Sequence, residues 1–319
     1  MDDITIVGGG ALARACADVL GRAGFRLRHA FEVESGDKTP LILGEVNGAY
    51  AIARQAVESG RPVLITGPAS LPPERLSLLL EARGRSQALF VWSGRRYHPG
   101  YRFVGGLMEA DATWRPRYVR LETLGVEPTS SALIRWRTLE ALALLTGIAA
   151  DAPLSAAATA TLNALRNAPD LLTIVLAFKD LDAFLQIGLG EALERREMLL
   201  AAASRKAFVD ELNQSTPLRL VEDEPAGRHA GSARWVSCAP PTEEELARLQ
   251  CFAFLDATLK PNLASEEANV WLRALSALQA IDRSLQANGA AVAVSIREEE
   301  PRFRVINGQS LTQLPPTVA

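Results

Sequence analysis

Cysteine and histidine are scarce in this chain of 319 residues, with three of each. Cys16, Cys238 and Cys251 are odd in number and share no paired spacing, and the histidines are scattered, so neither a disulfide framework nor a metal site is expected. A cationic excess is also missing. Lys and Arg total 34 against 37 for Asp and Glu, a formal net charge of −3, which removes the electrostatic footprint of a nucleic-acid-binding surface. No apolar run approaches the roughly 20 residues that a membrane-spanning helix needs. The start, Met1-Asp2-Asp3, lacks the basic and then apolar design of a secretion signal. These absences lead to the expectation of a cytoplasmic protein with free thiols and no nucleic-acid or membrane partner. What is present is an apolar fraction of 48% and enough length for about two domains with a substantial core.

The first residues carry the clearest local signal. An apolar strand over 4–7 runs into Gly8-Gly9-Gly10-Ala11-Leu12-Ala13 and then a helical pattern over 11–22. In a strand–turn–helix of this kind the first glycine permits the turn, the second lets a pyrophosphate approach the backbone, and a small third residue lets helix pack on strand. Gly8, Gly10 and Ala13 fill those places. The turn alone leaves two readings open, a dinucleotide cradle or the bare first turn of a doubly wound sheet. Residues 25–31 read as a second strand, and Glu32 or Glu34 lies about 20 residues past the glycines, where an acid accepts ribose hydroxyls.

The next strand, 40–46, follows too soon. Only residues 32–39 separate it from the second, whereas a parallel crossover with its helix takes at least roughly 10–12 residues. The expectation is a nucleotide lobe cut down on its adenosine side. Alternation then resumes with a helix over 48–59, a strand over 62–66, a helix over 73–83 and a strand over 87–93. Such alternation predicts a mostly parallel sheet, with a cleft bordered by the loops that start at Gly8, Val46, Thr66 and Ser93.

From about Trp114 the texture changes. A strand over 117–124 and a helix over 131–145 precede extended runs over 158–164, 171–178, 183–189, 198–203 and 206–212, a pattern that predicts a large, mostly antiparallel sheet. Residues 222–232 read as a surface loop, and helices over 242–259 and 265–287 close the chain. Thr242 with Glu245 makes a capping box, and Ser265 with Ala268 a weaker start. The fold class is therefore α/β: a truncated Rossmann-like domain over 1–113, an α+β domain with an open sheet over 114–296, and a tail over 297–319.

In the order of these signals the chain resembles the glucose-fructose oxidoreductase, inositol dehydrogenase and MocA (Gfo/Idh/MocA) family. The stretch Ala53-Arg54-Gln55-Ala56-Val57-Glu58-Ser59-Gly60-Arg61-Pro62-Val63 is similar to its A-x-x-A-L-x-x-G-K-x-V. Arg96-Tyr97-His98-Pro99 is similar to its R-F-x-P, Leu142-Ala143-Leu144-Leu145-Thr146-Gly147 to the end of its second-domain helix, and Ile281-Asp282-Arg283-Ser284 to its closing A-I-x-x-S. The resemblance implies a nicotinamide-binding first domain and an open-sheet second domain whose exposed face forms a homodimer. It also exposes two departures. The family's E-K-P, whose lysine is the usual proton-transfer group, reads Thr66-Gly67-Pro68 here, and Gly67 can neither donate nor accept a proton. The family's H-x-x-D aligns with Arg137 and Glu140; an arginine stays charged and is a poor base, though it can clamp a carboxylate.

The remaining groups each have a functional and a plainer reading. Tyr97 and His98 together can relay a proton; the plainer reading makes the segment a domain junction with the imidazole tied to a backbone carbonyl. Asn47 contacts the nicotinamide side or caps the helix that follows it. Arg135 and Arg137 flank Trp136 and recognise an anionic or aromatic ligand, or form a solvated helix face. His29 and His229 read as structural or solvated.

Two functional readings follow. In the first, which the losses favour, the protein is a catalytically degenerate oxidoreductase-like binding protein without a cofactor, holding a small molecule, peptide or protein partner through Arg96, Arg137 and Glu140. In the second it is an active oxidoreductase that binds NAD or NADP through Gly8, Gly10, Ala13, Glu32 and Asn47, with Tyr97 or His98 as a non-standard proton donor.

Overall fold

Two sheets organise the chain, and their burial patterns differ. The computed structural model describes residues 3–30, 37–67, 71–84, 86–127, 130–163, 168–190, 192–213, 218–222, 232–236 and 241–295. The first sheet holds β1 (Asp3–Val7), β2 (Arg26–Ala30), β3 (Leu41–Leu43), β4 (Val63–Ile65) and β5 (Leu89–Val91) in the order β2-β1-β3-β4-β5, all parallel. Its inner strands are short and wholly apolar because both faces are covered. Ile4, Ile6, Ile42, Leu64 and Phe90 point to one side, where they join Cys16 and Leu20 of α1 (Ala11–Arg22) and Cys251 and Phe254 of α6 (Glu243–Leu259). Leu41, Leu43, Val63, Ile65, Leu89 and Val91 point to the other, towards α2 (Ala49–Glu58) and α3 (Pro73–Ala82).

One expectation about this sheet needs correction. The segment between β2 and β3 does make a parallel crossover, because both strands flank β1 in parallel. It spans only ten residues and succeeds because it has little distance to cover: β2 ends beside Val7 and β3 begins beside Thr5. A strand rises about 3.3 Å per residue, so the chain retreats by less than about 10 Å along the strands. Its far end is clamped. Buried Arg61 donates to the Thr39 carbonyl at 2.5 Å and pairs with Asp37 at 3.2 Å, and Arg28 pairs with Asp37 at 2.5 Å. Burial alone would raise the Asp37 carboxyl, but hydrogen bonds from Thr39 and the charges of Arg61 and Arg28 outweigh it and hold it below the ordinary carboxylate value.

The second sheet has nine strands: β6 (Tyr118–Gly125), β7 (Ser155–Asn163), β8 (Ala168–Ala177), β9 (Asp182–Leu189), β10 (Arg195–Ala201), β11 (Arg205–Asp210), β12 (Leu218–Glu222), β13 (Ser232–Val236) and β14 (Val292–Ala293). Their order is β13-β12-β11-β10-β6-β9-β8-β7-β14, antiparallel except for the parallel pair β6 and β9. The helices α5 (Ser131–Ala149) and α7 (Pro261–Gln286) pack on one face. Trp136 of α5 stacks on fully buried Trp271 of α7, with ring centroids 6.0 Å apart.

Several elements differ from expectation. α4 (Pro99–Ala110) lies where no helix was predicted, since Gly105-Gly106 inside it breaks the helical signal. α7 starts at Pro261, which suits a first helical position, and carries Ser265 inside it. Strands β12 and β13 bracket the expected loop over 222–232, whose residues 223–231 lie outside the described ones. So do the tail from 296 onwards and Glu32, Glu34, His229 and Cys238. The capping box of Thr242 and Glu245 is formed as expected. The C-terminal α6 packs beside α1 on the first sheet, and its Gln250 donates to the Val91 carbonyl at 2.8 Å and accepts from the Ser93 N–H at 3.2 Å, finishing the free edge of β5.

Candidate functional site

At the carboxyl end of the first sheet the strand order switches sides between β1 and β3, with β2 on the far side of β1. This is the switch point at which open α/β sheets take their ligands. Gly8 and Gly10 turn the chain with φ of 86° and 97°, values that favour glycine. Gly10 caps α1 without a side-chain bond, no acid stands in the first turn, and Ala13 is buried. The first intrahelical bond after the turn runs from Arg14 N to the Gly10 carbonyl, so the N–H groups of Ala11, Leu12 and Ala13 face outward at the positive end of the helix. That is the arrangement an anionic diphosphate requires.

Glu45, the second residue after β3, closes this corner. Its N–H donates to the Gly9 carbonyl at 2.9 Å, and its own carbonyl accepts from Gly9 N–H at 3.0 Å. Its side chain crosses from one loop to the next. The carboxyl carbon lies 3.1 Å from where a Cβ on Gly10 would stand, and Cγ lies 3.1 Å from where a Cβ on Gly67 would stand. The side chain is exposed, and among the described residues its carboxyl has no hydrogen bond or ion pair. A side chain at position 67 would also meet the Glu45 nitrogen at 3.2 Å and the Gly44 carbonyl carbon at 3.3 Å. The backbone must yield before a lysine can occupy that place, so Gly67 is a packing requirement as well as a chemical loss. Asn47 is exposed nearby and caps no helix; Gly48, with a φ of 76°, is the N-cap of α2 and lacks a side-chain bond.

A second polar cluster lies between the two sheets. Arg95 donates through Nε to Glu211 at 2.7 Å and through a terminal nitrogen to Thr123 at 2.5 Å, and the Tyr101 hydroxyl donates to the same Glu211 carboxylate. Burial opposes the charge on Arg95, but Glu211 outweighs it and keeps the guanidinium ionised. Glu140 sits among these groups. Burial raises its carboxyl, with Glu211 adding to the rise and Arg95, Arg196 and Arg137 opposing it. Arg137 pairs with Glu127. Arg135 is partly exposed and pairs with Glu74 of α3 and Asp282 of α7, each at 2.8 Å.

The Arg96-Tyr97-His98 segment is largely structural. Arg96 pairs with buried Glu267 at 2.6 Å, and Glu267 also accepts from the Trp271 indole at 2.9 Å. Burial pushes the Tyr97 phenol well above its ordinary value, which makes it a poor acid near neutral pH. His98 is buried and caps α4, its Nδ1 accepting from Gly100 N–H at 3.1 Å. The imidazole thus ties down a backbone N–H, the reverse of the carbonyl contact expected. Burial lowers its basicity, Glu211 opposing and Arg95 adding, so the ring is neutral with its proton on Nε2. Sequence reasoning passed over Glu45 as a reactive group, and missed Glu211 and Tyr101. The signal for Glu45 was faint: a carboxylate at the end of an apolar strand, one loop away from a glycine where lysine was expected.

Solved structures resemble the chain over nearly its whole length. UDP-N-acetylglucosamine 3-dehydrogenase GnnA from Acidithiobacillus ferrooxidans matches with a TM-score of 0.71 at 20% identity, covering 90% of this chain and 98% of that one. The fold is that of the Gfo/Idh/MocA dehydrogenases. Levoglucosan dehydrogenase, solved in complex with NADH, matches with a TM-score of 0.69 at 13% identity, over 92% of this chain and 99% of that one. An oxidoreductase from Pseudomonas syringae matches with a TM-score of 0.73 at 12% identity, over 92% and 99% of the two chains. No family model and no curated protein matches the sequence. The frame of this Gfo/Idh/MocA-like chain therefore resembles NAD(P)-dependent dehydrogenases. Among its described residues no helix is long and apolar enough to cross a membrane.

Proposed function

We propose that this chain is an NAD(P)-dependent oxidoreductase in which Glu45, rather than a lysine, is the proton-transfer group. The observation that carries the reading is the Glu45 side chain, packed against the vacancy at Gly67 and over the glycine turn. Once the Glu45 side chain moves off Gly10 the turn suits a nicotinamide dinucleotide: Gly8 and Gly10 carry no side chain, Ala13 keeps the helix close, and α1 presents N–H groups that no described residue answers. When bound, that cofactor supplies hydride transfer. The chain's own residues do the rest. Glu45 swings off the turn, which its exposure permits, and then exchanges a proton with the substrate oxygen. Arg137 and Glu140, at the positions of the family's substrate-holding pair, orient the substrate. Tyr97 and His98 are poorer candidates, since one is a weakened acid and the other is tied up as a helix cap.

The reading has a signature with opposite signs. Glu45→Gln removes a negative charge from a diphosphate site, so NADH or NADPH binds about fivefold more tightly, while turnover falls by about 10²- to 10⁴-fold. Calorimetry and steady-state kinetics on the same variant read both. A second reading, a binding protein without hydride chemistry, draws on the backbone bridge between Gly9 and Glu45 that spans the crevice. Under it, neither the native chain nor Glu45→Gln takes up NADH or NADPH. We also propose a homodimer through the uncovered face of the second sheet, where Val175 is 49% exposed and Tyr118 38% exposed.

A further inference from the structure

We infer that the groove between α4 and α6 binds a small ring-bearing oxyanion, at a site separate from the glycine turn. The groove is a cavity of about 460 Å³, the size of a small-molecule pocket, and Arg96, Tyr97, Arg102, Arg248, Phe252 and Asp256 line it. Of its five α6 residues, Arg248, Phe252 and Asp256 recur every four positions and so share one helix face, with Leu249 and Ala253 beside them. The opposite wall comes from the segment entering α4 and from α4 itself.

The charge in this cavity is unbalanced. Arg96 is already answered by Glu267 at 2.6 Å, and Asp256 by Lys260 at 3.3 Å. Arg102 and Arg248 have no ion pair or hydrogen bond among the described residues. Two guanidinium groups that face one cavity, and that no described residue answers, favour a carboxylate or phosphate, whose oxygens fit their planar donor forks. Two rings complete the site: Tyr97 on the inner wall, and Phe252, which is 42% exposed on α6. Rings beside cations, one exposed and one set into the wall, select a flat ligand body attached to the oxyanion. A neighbouring cavity of about 610 Å³ shares Arg96 and Arg102, which leaves room for a substituent. Its rim mixes Arg115 and Lys179 with Glu109, Asp151 and Asp180, so selection for an anion belongs to the first cavity.

The test is calorimetric titration of the full chain with phenyl phosphate, benzoate and inorganic phosphate. Phenyl phosphate or benzoate is expected to bind with a dissociation constant below about 1 mM, and inorganic phosphate about tenfold more weakly. Which of the two ring compounds binds more tightly distinguishes a phosphate ligand from a carboxylate. The double variant Arg102→Ala with Arg248→Ala, both surface side chains, should keep the native melting temperature and lose at least about tenfold in affinity. Glu45→Gln should leave this binding unchanged, which separates the groove from the turn. Absence of binding by both ring compounds, equal binding of inorganic phosphate, or retention of affinity in the double variant would overturn the proposal.

Discussion

The two sheets differ in what covers them, and the difference assigns them different work. The first is buried on both faces, so its strands are short apolar runs and only its carboxyl end is open to a ligand. The second carries α5 and α7 on one face, and no described element covers the other, which holds Val175, Tyr118 and an Arg195–Glu122–Arg120 ladder across β10 and β6. The proposed chemistry lies at the end of the first sheet, where loops from three strands meet, and the proposed homodimer uses the face of the second.

The contrast can be broken at its joints. The largest effect is expected at Trp271, which fills the space between α7 and α5: Trp271→Ala should cost about 3–5 kcal/mol, read as a fall in thermal and denaturant midpoints. Next comes the short crossover. Arg61→Leu leaves Asp37 without its buried partner and should cost up to about 3 kcal/mol. Asp37 is held below its unfolded value, so its contribution is whole above about pH 4 and is lost as pH falls through the folded value. A urea series from pH 7 to pH 3 should therefore show the native chain converging on Arg61→Leu at the acid end.

His98 gives a smaller effect at milder pH. Its folded value is lowered, so its contribution is complete above about pH 6.5 and declines as pH falls below that. His98→Asn keeps a capping side chain and should flatten this part of the pH–stability profile. The smallest effect on folding is expected at Val175 on the uncovered face. Val175→Asp should change stability by less than about 0.5 kcal/mol, while converting a homodimer to a monomer by sedimentation. A chain already monomeric at the same concentration would remove the proposed interface.

The sequence revealed most where the determinants are local. The turn from β1 into α1 is written in adjacent residues, Gly8 to Ala13, and the capping box of α6 in Thr242 and Glu245. Strands β12 and β13 were not legible, because each is only five residues long and the polar stretch between them reads as a loop. α4 was hidden by its two glycines. The crossover after β2 was misjudged because loop-length reasoning assumed a helix, whereas short strands need only a short return. The two departures from the family pattern were visible as single letters, but their consequence was not. That Glu45 fills the space beside Gly67 depends on two loops converging, and no spacing along the chain records it.

Whether the glycine turn takes a dinucleotide beside Glu45 is decided by NADH and NADPH titration of the native chain and Glu45→Gln side by side. Both proteins are expected to bind, the variant about fivefold more tightly. Failure of both proteins to bind either nucleotide would contradict that expectation and leave the glycine turn as a structural corner.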